Sequence, residues 1–228
     1  ETVISAMRQK FDKLESLEES MHDKMMDLFR KYLLVGGMPD AVNAYVQDKN
    51  IRSVREIQSE IHEYYAADAS KYEADRRLTI RRIYDMIPSN MENKKKRIVV
   101  QNIENKRGKT FRDYQEEFEY LINAGVVSSV QAISNPVFPL IESAGKNLLK
   151  LYLTDVGILT GILYGNNLRA ILDDQPSVNL GSVYETVVAN ELKAHGYKLF
   201  YYDNRSKGEV DYLIDDYNSL STVPIEVK

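Results

Sequence analysis

Two carboxylates and a lysine near the end of the chain are spaced so that they can act on a phosphate group. Asp211 lies on a predicted strand, and Glu226 and Lys228 lie two residues apart on the next one. Because strand side chains alternate between faces, Glu226 and Lys228 share a face, and Asp211 can join them if the strands are neighbours. Carboxylate oxygens bind hard divalent cations, and a lysine can orient water or phosphate. We expect a Mg²⁺ site with Asp211 and Glu226 as ligands.

Strand alternation also predicts the neighbours of Asp211. Glu209 and Leu213 should share its face, whereas the opposite face should carry Val210, Tyr212 and Ile214. We therefore expect Glu209 to lie near the metal ligands.

The helix predicted over 180–195 supplies a further carboxylate. Placed at ~100° intervals, its apolar residues form one stripe, which consists of Leu180, Val183, Tyr184, Val187, Val188 and Leu192. Glu185 falls at the edge of this stripe and Glu191 near its middle. A buried carboxylate is costly unless it is paired or bound to a metal. We expect Glu185 to join the site and to support metal or water, and Glu191 to be partly buried behind the helix.

Each of these residues also has a structural interpretation. Asp211 precedes the turn-forming residues 215–218, and a Glu-x-Lys pair on an exposed strand is ordinary surface chemistry. Glu185 can form a capping box with Ser182. Glu191 can form a salt bridge, or the helix can be slightly rotated.

The composition favours a folded protein in a reducing compartment. The chain has 228 residues, of which 43% are hydrophobic and 28% charged, so a packed core is expected. Cysteine is absent, which excludes disulfides and thiolate chemistry and predicts a cytoplasmic location. No membrane-spanning segment is predicted, so no membrane partner is expected. Both ends interrupt sequence patterns, so we expect a fragment of a longer protein.

The pattern of hydrophobic residues predicts an α+β protein in three parts. Residues 1–75 form a helical segment, residues 76–153 resemble a winged-helix domain, and residues 154–228 form an α/β domain. The winged-helix part is predicted to contain helices at 78–87, 98–103 and 110–123 and strands at 126–133 and 148–153. Pro88 is expected to end the first of these helices.

The charge distribution argues against sequence-specific DNA recognition. The third helix of a DNA-binding winged helix enters the major groove, but here that helix contains Glu116, Glu117 and Glu119. The basic residues at 94–97 and 106–109 are interpreted as a solvated face. With a net charge of −4, we expect any binding of nucleic acid to be weak and non-specific.

Several segments together resemble one known family. They are Leu28–Pro39, Lys150–Gly157, Gly181–Leu192, Gly208–Asp211 and Pro224–Lys228. The chain is similar to the C-terminal part of a bacterial and archaeal family of AAA-type ATPases that ends in a domain of unknown function.

The resemblance implies a C-terminal fold similar to PD-(D/E)XK nucleases, here truncated before its final strand and helix. Glu185 would be the helix carboxylate, Asp211 and Glu226 the metal ligands, and Lys228 the catalytic lysine. ATP would bind only to an upstream P-loop module that is absent from this chain.

Three functions follow as hypotheses. The first is a Mg²⁺-dependent nuclease-like module coupled to an ATPase. The second is a non-catalytic domain that binds a protein partner or another subunit. The third is a winged-helix adaptor that binds DNA, which requires the basic residues at 94–109 to lie on one face beside the third helix.

Overall fold

The N-terminal third of the chain is helical. The computed structural model describes residues 3–68, 74–93, 96–144, 148–173 and 178–228. The first four helices are α1 (Val3–Asp12), α2 (Glu19–Val35), α3 (Pro39–Asp48) and α4 (Ile51–Asp68). These four helices agree with the helical segment predicted for this part of the chain. The loop predicted at 173–176 lies largely outside the described residues.

The turn after α2 brings distant segments together. Gly36 has a φ of +72°, and its amide donates to the Tyr32 carbonyl at 2.8 Å. A Cβ on Gly36 would collide with the carboxylate of Asp155. Asp155 accepts hydrogen bonds from the amides of Gly37 at 2.7 Å and Ile158 at 2.9 Å. The carboxylate therefore ties the end of α2 to the start of a later helix.

Helix α5 (Ala74–Met91) continues past Pro88, so the prediction that Pro88 ends it was wrong. A proline inside a helix removes one backbone hydrogen bond. Ile87 and Met91 nevertheless keep the helical spacing on either side of Pro88, with 0% and 1% of their surface exposed. Burial of these two side chains offsets the missing bond.

The predicted second and third helices of the middle region are present in shorter form. They are α6 (Gln101–Glu104), a 3₁₀ turn (Phe111–Tyr114) and α7 (Gln115–Asn123). Thr110 and Asp113 form the predicted capping box, in which the Thr110 amide donates to Asp113 Oδ2 at 2.7 Å. Gly125, with a φ of +72°, follows the end of α7 as expected.

The described strands form one five-stranded mixed sheet in the order β2-β1-β3-β4-β5. Its strands are β1 (Val127–Ile133), β2 (Leu149–Leu153), β3 (Phe200–Asn204), β4 (Gly208–Asp216) and β5 (Ser221–Ile225). β1 is antiparallel to β2 and parallel to β3, while β3, β4 and β5 form an antiparallel meander. The predicted α+β class is confirmed. The strands predicted as the wing of the middle region are continuous with those of the C-terminal region.

Three helices lie between β2 and β3 in the chain, of which the first and third pack against the sheet and the second against α2. They are α8 (Val156–Tyr164), α9 (Arg169–Leu172) and α10 (Gly181–Ala194). One hydrophobic core contains side chains from both halves of the chain, among them Leu34, Tyr84, Val130, Val183 and Tyr212. Among the described residues, no helix combines the length and the apolar character needed to cross a membrane.

Candidate metal and nuclease-like site

Helix α10 directs Glu185 into the core beneath the sheet. Only 5% of the residue is exposed. Its carboxylate accepts a hydrogen bond from the Tyr152 hydroxyl at 3.2 Å and forms an ion pair with Lys96. The Tyr212 hydroxyl donates to the Glu185 carbonyl at 2.9 Å. Glu185 therefore lies deeper than the predicted edge of the helix stripe, and its charge has a partner.

The structure tests the alternative interpretations of Glu185 and Glu191 on helix α10. Ser182 does not form a capping box with Glu185, because its hydroxyl donates to Glu92 at 2.5 Å. Glu191 is exposed, so the prediction that it is partly buried was wrong. A small rotation of α10 accounts for both results, since it moves Glu185 inward and Glu191 outward.

Lys96 reaches Glu185 because the chain around it runs beside β2. Arg97 forms an antiparallel β-bridge with Lys150, and the Ile98 amide donates to the Leu149 carbonyl at 2.9 Å. This extension of the sheet places Lys96 over α10, with 18% of its side chain exposed. The interpretation of residues 94–97 as a solvated face was therefore wrong for Lys96. Residues 94 and 95 lie outside the described part of the chain.

A β-bulge in β4 sets the direction of Asp211. Phe200 pairs with Leu213 and Tyr202 with Val210, so β4 has one extra residue at this point. Val210 and Leu213 consequently pack in the same small cluster, whereas Tyr212 lies in the main core. The predicted simple alternation was wrong here.

The bulge leaves Asp211 on the side of the sheet that faces α10. Burial raises the pKa values of Tyr152 and Tyr212, and the charge of Asp211 adds a smaller contribution in the same direction. Both tyrosines have pKa values well above the ordinary range, so they remain hydrogen-bond donors at neutral pH. Asp211 Oδ2 also accepts a hydrogen bond from the Val227 amide at 3.0 Å.

Glu226 lies beside Asp211 but just beyond the end of β5, so the prediction that Glu226 and Lys228 lie on a strand was wrong. β4 and β5 are neighbours, as the predicted site requires. The pKa of Glu226 is raised by partial burial and next by the negative charge of Asp211, while the positive charge of Lys228 opposes the shift. Glu226 and Lys228 are both exposed. A cation here would relieve the repulsion between the two carboxylates.

A second buried lysine, Lys150, was missed by the sequence analysis. It is 1% exposed on β2, and its Nζ lies 3.2 Å from Glu209 Oε1 and 4.8 Å from the centre of the Tyr201 ring. Its charge also acts on Glu226. The one sequence signal was a lysine inside an otherwise apolar strand, 148–153.

The predicted residues are thus brought to one region in two connected groups. Asp211, Glu226 and Lys228 form the outer group, and Glu185 with Lys96 forms the inner one. Tyr152 links them, since it bonds to Glu185 and senses the charge of Asp211. Within the described ranges, no three His, Cys, Asp or Glu side chains are grouped closely enough to hold one metal ion.

Comparison with known protein families gives two matches to domains of unknown function. Residues 26–168 match DUF8612, and residues 180–228 match DUF4143, a domain often found with AAA ATPases. No curated protein and no solved structure matches the chain. The first match covers more than half of the 228 residues. The chain therefore belongs to the DUF8612 family of domains of unknown function.

Proposed function

We propose that the C-terminal region is a Mg²⁺-dependent, nuclease-like module of a larger AAA-type ATP-binding protein. The observation that carries the proposal is the position of Glu226 beside Asp211, one on β4 and the other just past the end of the neighbouring β5, with the charge of Lys228 acting on Glu226. Their oxygens are the hard ligands that Mg²⁺ prefers, and their mutual repulsion would fall on binding it. This donor set fits the ion.

In this proposal Asp211 and Glu226 hold the metal, which when bound would activate water and stabilise charge on a phosphodiester. The Val227 amide orients Asp211. Lys228 stabilises negative charge that develops on the phosphate. Tyr152 and Lys96 hold Glu185, which would support metal or water once Lys96 moves away from it. The substrate class is nucleic acid, and ATP belongs to an upstream module.

The metal site is tested by melting the protein with and without Mn²⁺ or Mg²⁺. A ligand that binds the folded state alone raises the melting temperature. We expect a rise for the wild-type protein and none for Asp211→Asn, whose amide oxygen still accepts from Val227. Asp215→Asn is the matched control because Asp215, on the same strand, bonds instead to the Leu140 amide at 3.1 Å. An equal rise in all three proteins would contradict the proposal.

The nuclease activity needs a separate test on the full-length protein. Cleavage of single- and double-stranded DNA and RNA should require Mg²⁺ or Mn²⁺ and be measured with and without ATP. Lys228→Met should lower the cleavage rate by about 10²-fold or more, because that is the lower end of the losses seen when one charge-stabilising donor is removed. Metal binding without cleavage of any substrate would leave a metal site but exclude the nuclease.

The second candidate function is a non-catalytic interaction domain that binds a protein partner. The ion pair between Glu185 and Lys96 favours it, because this carboxylate is already neutralised without a metal. A melting temperature that is independent of metal, together with capture of the AAA-type module by this chain, would support this function.

A further inference from the structure

A cavity of about 240 Å³ lies beside α4 and α8, away from the carboxylate site. Ser59 and His62 line it from α4, and Asn166 lines it from the turn after α8. None of the described residues that line the cavity is acidic. Its wall therefore offers hydroxyl, imidazole and amide groups but no negative charge.

Arg55 lines the same cavity and is nine-tenths buried, with 9% exposed. Its Nη1 group donates to the Gly157 carbonyl at 2.9 Å and to Gln58 Oε1 at 2.7 Å, with Leu34 and Thr160 as further acceptors. Its Nε and Nη2 atoms are buried and have no hydrogen-bond partner in the described structure. Three N–H groups of the guanidinium are therefore unsatisfied, which is costly for a charged group.

The charge of Arg55 also has no direct ion-pair partner among the described residues, since its acceptors are all neutral groups. Burial lowers its pKa to about 10, and the charge of Asp155 opposes that shift. The guanidinium therefore stays protonated at neutral pH. The carboxylate of Asp155 accepts its hydrogen bonds from the amides of Gly37 and Ile158 and none from Arg55.

We propose that this cavity binds a small oxyanion, with the chemistry of a phosphate group, through Arg55. A guanidinium presents parallel N–H donors that match phosphate oxygens. Ser59 and Asn166 lie on the wall and can donate further hydrogen bonds. The volume is below the roughly 300–1,000 Å³ of pockets for drug-sized ligands, so it suits a phosphate group better than a whole nucleotide. This site is independent of the proposed nuclease function.

The test measures binding of inorganic phosphate by calorimetry and by melting temperature, at constant ionic strength in chloride buffer. At about 10 mM phosphate we expect the melting temperature to rise by about 2 °C or more. Ser59→Asp places a carboxylate at the cavity wall without changing Arg55. It should abolish phosphate binding and stabilise the protein without phosphate. Ser59→Asn, whose side chain has the shape of aspartate but no charge, should still bind phosphate.

Adenosine monophosphate provides the second arm. Equal binding of both ligands would identify a free anion as the occupant, whereas tighter binding of the nucleotide would identify the phosphate group of a larger molecule. Both outcomes support the site. Phosphate also stabilises many proteins by exclusion from their surface. An equal rise in melting temperature for the wild type and both variants, with no heat of binding, would overturn the proposal.

Discussion

At the scale of single residues, Glu185, Asp211 and Glu226 were predicted from the sequence, whereas the lysines that contact Glu185 and Glu209 were not. Asp211 is on a strand as predicted, and the local Glu-x-Lys pattern pointed to Glu226 and Lys228, although both lie past the end of β5. Lys96 and Lys150 are recognised as part of this region only by their contacts. Lys96 contacts Glu185, 89 residues further along the chain, and Lys150 contacts Glu209, 59 residues further along. No local pattern encodes such a contact. The direction of Asp211 was also unpredictable, since the bulge depends on pairing with β3.

The ion pair between Lys96 and Glu185 predicts a large effect for one substitution. Lys96→Met leaves a buried carboxylate without its charge partner, which should cost about 2–4 kcal/mol, slightly below the loss for a fully buried pair because Lys96 retains some exposure. Urea denaturation measures this loss. Lys207→Met, at an exposed position, should change stability by at most about 0.5 kcal/mol.

The same variant separates the two roles of Glu185. If Glu185 supports a metal, Mn²⁺ should stabilise Lys96→Met more than it stabilises the wild type, since the ion replaces the lost charge. A purely structural Glu185 predicts the same Mn²⁺ effect in both proteins.

At the scale of elements, helices and strands were predicted well where burial follows a simple period. The N-terminal segment is helical as predicted, and both strands of the middle region and α10 lie close to their predicted positions. The errors arose where packing outweighs a local rule. Pro88 remains inside α5 because Ile87 and Met91 are buried, and β4 departs from strict alternation because it pairs with a shorter stretch of β3.

The junction between α2 and α8 predicts that two glycines with the same φ differ in how much stability an alanine substitution costs. Gly36 and Gly125 both have a φ of +72°, so alanine is strained at either position, and at Gly36 the ψ of −161° lies in a region essentially reserved for glycine, which costs about 1–3 kcal/mol. A Cβ on Gly36 also collides with Asp155, whereas one on Gly125 meets no atom within 4 Å. We expect Gly36→Ala to lose about 3 kcal/mol or more in urea denaturation. Equal losses for the two variants would show that Asp155 can move aside freely.

At the scale of the whole molecule, the single sheet predicts cooperative unfolding. β1 and β2 lie in the first family match and β3 to β5 in the second, yet β1 and β3 are hydrogen-bonded neighbours. Far-UV circular dichroism and tyrosine fluorescence should therefore report coincident transitions in urea. Two separated transitions would instead show that the matched regions unfold independently.

The charge distribution predicts weak binding to duplex DNA. Glu116 and Glu119 are exposed on α7, and Glu116 forms an ion pair with Arg76, which removes one cation from the surface. We expect a Kd no tighter than the roughly 10⁻⁴–10⁻⁶ M of non-specific binding at physiological salt. Fluorescence anisotropy with unrelated duplexes measures it. A Kd near 10⁻⁸ M for one sequence, as specific readers reach, would support the DNA-binding adaptor instead.

The parallel pairing of β1 with β3 limits how this chain can be recombined. Gln131, Ala132 and Ile133 lie opposite Phe200, Tyr201 and Tyr202, across the boundary between the two matched families. A chimaera that joins residues 1–172 of this chain to a foreign C-terminal region must reproduce that backbone register and refill the shared core. Sequence comparison alone would suggest joining the two proteins in the segment between the two matches. Such a junction would separate two halves of one folding unit.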